Sequence, residues 1–223
     1  MKVINVILVS GGVDSVTLLH YAKRTRRGQD VLAFSFHYGQ KHVKELECAA
    51  YHCEQLGVPH EIHDIKPLVE SYWKTSSLVG PDEVPEGDQK QSTIVPFRNP
   101  TLILLAASWL WSRLGSRDLG VVWYAAHKGD ATTYPDCTPE FVTAMNDLLL
   151  KASKPYKNIE VFAPFVHLTK AEVVRLGLLM EVDYAKTWTC YKGGERPCNV
   201  CGACVERAKA FKEAGVKDPL EGR

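Results

Sequence analysis

Short runs of apolar, β-branched residues alternate along the chain with segments whose apolar positions recur every three or four residues. Residues 3–9 (VINVILV), 30–36 (DVLAFSF) and 119–125 (LGVVWYA) are runs of the first kind. A continuous run of this length is typical of a strand that is covered on both faces. We therefore predict a strand at each of these places, and a shorter one near residues 61–65.

Helical spacing of apolar residues follows most of these strands. The pattern predicts helices from about residue 14 to residue 24 and over 43–56, 99–114, 139–151 and 169–179. The last of these begins after Thr169, with Glu172 three residues later, which is the spacing of a capping box. Strands that alternate with helices indicate a parallel sheet with helices on both faces. Residues 75–96 lack such periodicity, and we expect a lid or binding loop there.

The composition is that of an ordinary globular protein, with 45% hydrophobic and 24% charged residues among 223. Lys plus Arg number 27 against 26 for Asp plus Glu, and this balance provides no electrostatic footprint for long nucleic acid or an anionic membrane. No window reaches the roughly 18 apolar residues that a membrane span needs, and no leader peptide is evident. We therefore expect a cytoplasmic protein that binds neither nucleic acid stably nor membranes.

A turn rich in glycine and serine, residues 10–15 (SGGVDS), joins the first strand to the first helix. The first amide groups of a helix have no partner within it and lie at the positive end of its dipole, so this place favours an anion. The two glycines allow the backbone to approach a ligand, and the two serine hydroxyls can donate to phosphate oxygens. Asp14 suits helix capping or a magnesium ion on the phosphates. A capped turn that binds nothing explains the same residues.

Four of the seven cysteines crowd into residues 190–204 with the spacing C-x7-C-x2-C-x2-C. Four thiolates at short spacing suit a structural, tetrahedral zinc ion. Its ligands would be Cys190, Cys198, Cys201 and Cys204. An iron–sulfur cluster is the rival, but Ala208 and Lys209 stand where a ferredoxin motif continues with Cys-Pro. Zinc is the favoured ion, and four free thiols are the remaining alternative.

The glycine turn resembles the signature of the PP-loop ATP pyrophosphatases, and six further stretches are similar to the 7-cyano-7-deazaguanine synthases, the QueC family. These stretches are FHYGQKHVKELECA (36–49), VPFRN (95–99), YPDC (134–137), LTKAE (168–172), TCYKGG (189–194) and CNVCGACVERAKAF (198–211). The resemblance implies an α/β fold with a Rossmann-like, doubly wound parallel sheet. We expect an ATP-binding and catalytic domain over 1–185 and a small zinc-binding segment over 186–223, packed on the same domain.

The activity that this resemblance implies is that of an ATP-dependent ligase that forms a C–N bond in queuosine biosynthesis. It would convert 7-carboxy-7-deazaguanine and ammonia to 7-cyano-7-deazaguanine through an adenylated carboxylate and an adenylated amide, with release of AMP and pyrophosphate. The implied cofactors are structural Zn²⁺ and Mg²⁺, with ATP as a co-substrate. The expected partners are these small molecules and a second copy of the chain in a homodimer.

The resemblance also implies roles for individual residues. Those expected to bind ATP are Val9, Ser10, Gly11, Gly12, Val13, Asp14, Ser15, Arg98 and Asn99. Those expected to be catalytic are Asp14, Ser15, Arg98 and Lys170. Those expected to bind the deazapurine are Gln40, His42, Asp130, Tyr134 and Asp136.

Ordinary structural roles explain some of these residues equally well. Arg98 can be a solvated charge at a helix start, and Asp136 can form a turn and cap the next helix. Without support beyond its position, His42 is more simply a surface histidine at a helix start. Glu172, beside Lys170, suits helix capping as well as a place near the nucleotide.

The chain departs from the usual pattern of the family around the acceptor pocket. Ala125 replaces a glycine, residues 127–129 (HKG) replace an uncharged or acidic stretch, and Thr138 replaces an arginine. A changed charge there can alter the base, the nucleophile or the extent of reaction. The alternatives are therefore an enzyme that stops at the amide or uses a related deazapurine acid, a tRNA-modifying PP-loop enzyme, and a non-catalytic zinc-ribbon interaction module.

Overall fold

Five parallel strands form the centre of the molecule in the computed structural model, which describes residues 1–221. They are β1 (Val3–Leu8), β2 (Asp30–His37), β3 (His60–Asp64), β4 (Leu119–Trp123) and β5 (Asn158–Phe162). Their order across the sheet is β3-β2-β1-β4-β5, and every neighbouring pair is parallel. From β1, the chain adds β2 and β3 on one side of the sheet and then β4 and β5 on the other side. This is the doubly wound α/β sheet that the sequence predicts.

Helices cover both faces of this sheet. Within residues 1–221 they are α1 (Val13–Thr25), α2 (Lys44–Leu56), α3 (Lys66–Trp73), α4 (Arg98–Trp111), α5 (Pro139–Ser153), α6 (Lys170–Leu179) and α7 (Gly202–Ala214). Buried side chains of α3, α4 and α5 pack on one face, and those of α1, α2 and α6 pack on the other. Over the same residues, each helix is too short or too polar to cross a membrane.

The strands and helices predicted from periodicity are present, with ends that differ by a few residues, but α3, β5 and α7 escape sequence analysis. Strand β5 lies at the sheet edge with alternating exposed and buried residues, so it has no continuous apolar run. Helix α7 begins within the cysteine motif and buries an arginine, which masks its apolar stripe. The capping box of α6 is confirmed, since the Thr169 amide donates to Glu172 Oε2 at 2.7 Å and the Glu172 amide donates to Thr169 Oγ1 at 3.3 Å.

A buried arginine fixes the C-terminal segment to the rest of the chain. Arg207 on α7 donates to both carboxylate oxygens of Asp218, at 2.7 and 2.9 Å. It also donates to the carbonyl of Tyr184 at 3.0 Å and the hydroxyl of Thr187 at 2.8 Å. Nearby on the same helix, Phe211 packs into a core shared with α1 and α6. The segment after residue 186 is thus continuous with the sheet domain.

The long loop predicted over 75–96 lies against the cysteine motif. Glu86 forms an isolated antiparallel bridge with Cys201, and the amide of Gly87 donates to the carbonyl of Val200 at 2.8 Å. The ammonium group of Lys192 lies 3.0 Å from the Glu86 carboxylate. These contacts tie the loop to the C-terminal segment.

Replacing Arg207 tests this attachment. Arg207→Met is expected to lower the free energy of unfolding by about 3 kcal/mol, because it leaves the partly buried Asp218 carboxylate without its cation. Lys209→Met, an exposed change on the same helix, should alter it by no more than about 0.5 kcal/mol. Urea denaturation of both variants measures the difference, and equal effects would show that the arginine does not fix the segment.

Candidate active site

A cleft opens at the carboxyl ends of β1 and β4, where the strand order reverses direction. Its walls come from the loop after β1, the starts of α1, α4 and α6, the segment after β4, and residues near the cysteine motif. Open α/β sheets bind ligands at this point. Apart from Gly11, every residue predicted to bind ATP lines this cleft.

The loop after β1 uses its own serines to satisfy its amides. Ser15 Oγ accepts hydrogen bonds from the amides of Ser10 and Gly11 at 3.1 and 3.2 Å, and Ser10 Oγ accepts one from Gly12 at 3.3 Å. Ser15 Oγ also donates to the carbonyl of Gly12 at 3.2 Å, so both serine hydroxyls take part in the hydrogen bonds of the loop itself. Gly12 occupies the N-cap position of α1 without a capping side chain. The first amides of the helix are left facing the cleft without the cap that the alternative interpretation requires.

Gly11 has a packing role that sequence analysis did not anticipate. Its φ angle is +98°, and a Cβ at this position would lie 1.8 Å from the carbonyl oxygen of Glu45 on α2. Only glycine allows this backbone conformation and this close approach together. The carbonyl of Gly11 also accepts a hydrogen bond from the amide of Trp188 at 3.0 Å. The loop is thereby held between α2 and the C-terminal segment.

Asp14 forms a buried ion pair with Lys170. Lys170 Nζ lies 2.9 Å from Asp14 Oδ2 and 2.8 Å from Glu206 Oε2. Burial raises the pKa of Asp14, but the charge of Lys170 outweighs that effect and holds the pKa below its usual value. Burial lowers the pKa of Lys170, and its two carboxylate partners reverse this and hold the pKa above its usual value. The geometry thus brings two of the predicted catalytic residues together in their charged forms, whereas Glu172 caps α6 instead.

His127 lies behind this ion pair and is completely buried, with 0% of its surface exposed. Its Nδ1 accepts a hydrogen bond from the amide of Gly129 at 3.1 Å. Its Nε2 faces carboxylate oxygens of Asp130, Glu206 and Asp14 at 3.3, 3.8 and 3.9 Å. Burial raises the pKa of Asp130 to about 6. This buried histidine is therefore enclosed by acidic groups.

Arg98 forms the opposite wall of the cleft. Phe97, the residue before it, has a φ angle of +53°, in the left-handed region that bulky residues rarely adopt. This sharp bend places Arg98 at the start of α4, where Nε donates to Asn99 Oδ1 at 3.3 Å. The side chain is surrounded by phenolic groups. They belong to Tyr38, Tyr134 and Tyr191.

The charge of this arginine is stable despite its position. Burial lowers the pKa of Arg98, but the neighbouring Tyr38 and Asp136 raise it, and the net result is a pKa above the usual value. A guanidinium in a fixed position can bind phosphate or carboxylate through two parallel hydrogen bonds. A solvated charge at a helix start, the alternative considered above, does not describe this environment.

Glu45 lines the same wall and was not singled out by sequence analysis. It lies on the first turn of α2, three residues after His42, and is buried. Gln40 Nε2 donates to Glu45 Oε1 at 3.3 Å, and His42 Nε2 lies 3.4 Å from Glu45 Oε2. Burial raises the pKa of Glu45 to about 8 and lowers the pKa of His42 to about 4. Gln40 and His42 therefore lie behind Glu45 in the wall, and His42 is not a surface histidine.

The other residues predicted to bind the deazapurine divide between the cleft and its surroundings. Asp130 and Tyr134 line the cleft, and the Tyr134 hydroxyl donates to Gln89 Oε1 in the long loop at 2.9 Å. Asp136 lies outside this lining, beside the buried thiol of Cys137. Thr138 accepts a hydrogen bond from an amide of α5 at 3.1 Å and so serves as the helix cap.

The predicted cysteine ligands come together at the start of α7. The sulfurs of Cys190, Cys198, Cys201 and Cys204 lie within 4.8 Å of one another, and all are free of disulfides. The amide of Cys198 donates to the sulfur of Cys190, and that of Cys201 to the sulfur of Cys198, both at 3.3 Å. Hydrogen bonds from backbone amides to sulfur stabilise the thiolate form of cysteine. The cluster therefore fits a tetrahedral metal ion.

Comparisons with known proteins agree with this architecture. The family model described as "Queuosine biosynthesis protein QueC" matches residues 4–215. The chain belongs to the QueC family. Similar curated proteins include the 7-cyano-7-deazaguanine synthase of Marinomonas sp. (strain MWYL1), 47% identical over 97% of this chain and 96% of that protein. The synthase of Caldicellulosiruptor bescii is 46% identical over 97% of this chain and 96% of that protein.

A solved structure similar to this QueC-family protein is the U34-tRNA thiolase NcsA from Methanococcus maripaludis, determined with its 4Fe-4S cluster. The TM-score is 0.51, and the alignment covers 99% of this chain and 67% of that chain. Because only 14% of the residues are identical, the likeness shows the fold alone.

Sequence analysis did not single out two acidic residues of this QueC-family site, although the helix predicted over 43–56 contains the first of them, Glu45. Glu45 lies on the first turn of α2 and His42 just before that helix, so the two residues are close along the chain. Glu206 lies two residues after Cys204 in α7, a helix that begins inside the metal motif. No short motif marks either residue as part of the cleft.

The buried carboxyl of Glu45 predicts an unusual dependence of stability on pH. The folded protein retains a proton on Glu45 up to a pKa of about 8, whereas the usual value is 4.5, so stability falls as pH rises between these values. Glu45→Gln is expected to reduce this fall, as measured by urea denaturation at about pH 5 and about pH 8. Glu47→Gln, an exposed change on the same helix, is the control. If all three proteins lose stability equally, Glu45 is not protonated in the folded state.

Proposed function

We propose that this QueC-family protein is a 7-cyano-7-deazaguanine synthase. It would use 7-carboxy-7-deazaguanine, ammonia and two molecules of ATP, and release AMP and pyrophosphate. The observation that carries the proposal is the match of the QueC family model to residues 4–215. The cleft at the strand switch point supports it, because charged groups suited to phosphate chemistry meet there.

The carboxylate oxygen of the substrate is a poor leaving group, and the reaction requires its conversion into a good one. Attack of the substrate carboxylate on the α-phosphorus of ATP forms the acyl adenylate and expels pyrophosphate. Ammonia then attacks the acyl carbon, the C–O bond to AMP breaks, and a proton is lost to give the amide. The amide oxygen is adenylated in turn, and loss of AMP and a proton gives the nitrile. The protein needs mainly to align these groups and stabilise the developing charge.

Positively charged groups from both walls of the cleft suit binding of the ATP phosphates. We call this part, at the start of α1 and Lys170, the phosphate end of the cleft. The uncapped start of α1 and the ammonium of Lys170 would face the departing pyrophosphate, and Arg98 would bind an oxygen on the opposite side. Asp14 Oδ1 is buried and lacks a hydrogen-bond partner among residues 1–221. That oxygen fits a ligand to the magnesium ion that accompanies ATP and neutralises phosphate charge.

The acceptor end of the cleft supports binding of a deazapurine. Asp130 and Tyr134 line it together with Glu45, so hydrogen-bond acceptors and donors are available for the guanidine-like edge of the base. Gln40, His42 and Asp136 would position these groups from behind. The substitutions at Ala125, His127 and Thr138 lie within or beside this part of the cleft, and product analysis decides whether the reaction continues to the nitrile or stops at the amide.

The proposal extends to the organisation and partners of the chain. Residues 1–185 would be the ATP-binding and catalytic domain and 186–223 the zinc-binding segment, whose last two residues lie outside the described part of the chain. Glu206 and Tyr191 of that segment line the cleft, so it would contribute to the site. We also propose that the protein is a homodimer in the cytoplasm and does not bind nucleic acid stably. The balance of 27 basic and 26 acidic residues supports the last of these points. A tRNA-modifying role and a non-catalytic module have no comparable support.

The product assay tests the proposed function directly. Protein incubated with magnesium-ATP, ammonium and 7-carboxy-7-deazaguanine is expected to release AMP and pyrophosphate and to give the nitrile by mass spectrometry. Lys170→Met should lower the rate by about 100-fold or more because it removes a buried cation from the phosphate end. Lys151→Met, an exposed change on α5, is the control. Release of ADP and phosphate, or equal rates for both variants, would contradict the proposal.

Metal analysis tests the cysteine centre. We expect about one zinc ion per chain, because four thiolates complete its tetrahedral shell. Cys201→Ser should lower both the zinc content and the yield of folded protein, since binding of the ion contributes to folding. Cys48→Ser, outside the cluster, should change neither. Iron with the visible absorption of an iron–sulfur cluster, in place of zinc, would contradict this assignment.

A further inference from the structure

A second group of metal-ligating side chains lies in the cleft, apart from the four cysteines. His127, Asp130 and Glu206 each place one ligand atom within 4.8 Å of the others. We propose that these three residues hold a divalent first-row transition metal ion, and that this ion binds before ATP does. Binding of the ion does not depend on the proposed function. Only the role of the ion in the reaction rests on that function.

The separations between the ligand atoms fit one ion. His127 Nε2 lies 3.3 Å from Asp130 Oδ2 and 3.8 Å from Glu206 Oε1. Ligand atoms that surround a metal at its usual bond lengths lie about 3 to 3.5 Å from one another. Glu206 contacts Lys170 through Oε2, so its Oε1 remains available to the ion. Small side-chain movements would therefore complete the site.

An unpartnered buried nitrogen distinguishes this site from a simple cluster of acidic residues. His127 is 0% exposed, and within residues 1–221 its Nε2 has no partner in hydrogen-bond geometry. A buried polar atom without a partner is costly, and a ligand would supply the missing partner. This nitrogen is directed at the two carboxylates that would share the metal ion.

The balance of charge also favours a cation. Three carboxyl groups meet here, those of Asp14, Asp130 and Glu206, while Lys170 supplies a single ammonium group. A divalent ion would compensate the excess negative charge.

Binding through Nε2 carries one structural cost. The neutral ring would then hold its proton on Nδ1, so the hydrogen bond from Gly129 would be lost. Gly129 is exposed, and its amide can bond to water instead. This loss of one neutral hydrogen bond is small beside the attraction of a divalent cation to the carboxylates.

The donor set indicates the kind of ion. Magnesium prefers a shell made of oxygen atoms, whereas an imidazole ligand favours ions such as Mn²⁺, Fe²⁺ or Co²⁺. His127 Nε2 lies 3.9 Å from the Asp14 carboxylate, so the ion would lie between the phosphate end of the cleft and the acceptor end, and Asp130 would face the deazapurine with its other carboxylate oxygen. It would be separate from the magnesium that arrives with ATP, and there it can stabilise the charge of the leaving group.

Mn²⁺ is a suitable probe because it binds thiolates poorly and is detected by electron paramagnetic resonance. Titration of zinc-loaded protein without nucleotide should show about one bound Mn²⁺ per chain. Glu206→Gln and His127→Gln should each weaken its binding by about tenfold or more. Glu213→Gln, an exposed change on α7, should bind as the unaltered chain does. Circular dichroism and zinc content confirm that each variant is folded.

Three results would overturn the proposal. They are equal Mn²⁺ affinity in the His127 and Glu206 variants and the unaltered chain, binding only when ATP is present, and displacement by an equal concentration of Mg²⁺. Failure of the product assay with Mn²⁺ binding intact would overturn the proposed function alone. Normal product formation without a nucleotide-independent Mn²⁺ site would overturn the metal site alone.

Discussion

The site depends on one buried ammonium group shared between two carboxylates. Lys170 begins α6, Asp14 lies on the first turn of α1, and Glu206 lies on the first turns of α7, so a single contact network joins three helices. Removal of any one charge would leave another buried without compensation, which is far more costly than loss of an exposed ion pair. The position of the phosphate end of the cleft relative to the C-terminal segment is therefore set by electrostatics as well as by packing.

Close backbone packing provides the second constraint. Gly11 brings the loop after β1 against α2, and the carbonyl of Glu45 lies where a larger residue would need space. The same contact places the Glu45 side chain in the opposite part of the cleft. The loop after β1 and the part of the cleft that contains Glu45 are thus held together, because Gly11 packs directly against the start of α2.

Sequence patterns predict most of the sheet because buried parallel strands require continuous apolar runs, as in β1, β2 and β4. They also predict the cysteine cluster, since its ligands are close in sequence. They do not reveal β5, whose exposed edge breaks the apolar run, or the environment of His127. The residues around that histidine come from three separate helices and loops, and only the folded chain brings them together. Glu45 and Glu206 escape for the same reason.

The link between the long loop and the cysteine motif has a consequence for redox sensitivity. Glu86 pairs with Cys201 through the backbone, and Gln89 accepts a hydrogen bond from Tyr134, which lines the cleft. Oxidation of a single sulfur would disturb the geometry of the whole four-thiolate shell. The disturbance would pass along this short stretch of chain to the lining of the cleft at Tyr134. An oxidant could thereby silence catalysis while leaving the central sheet intact.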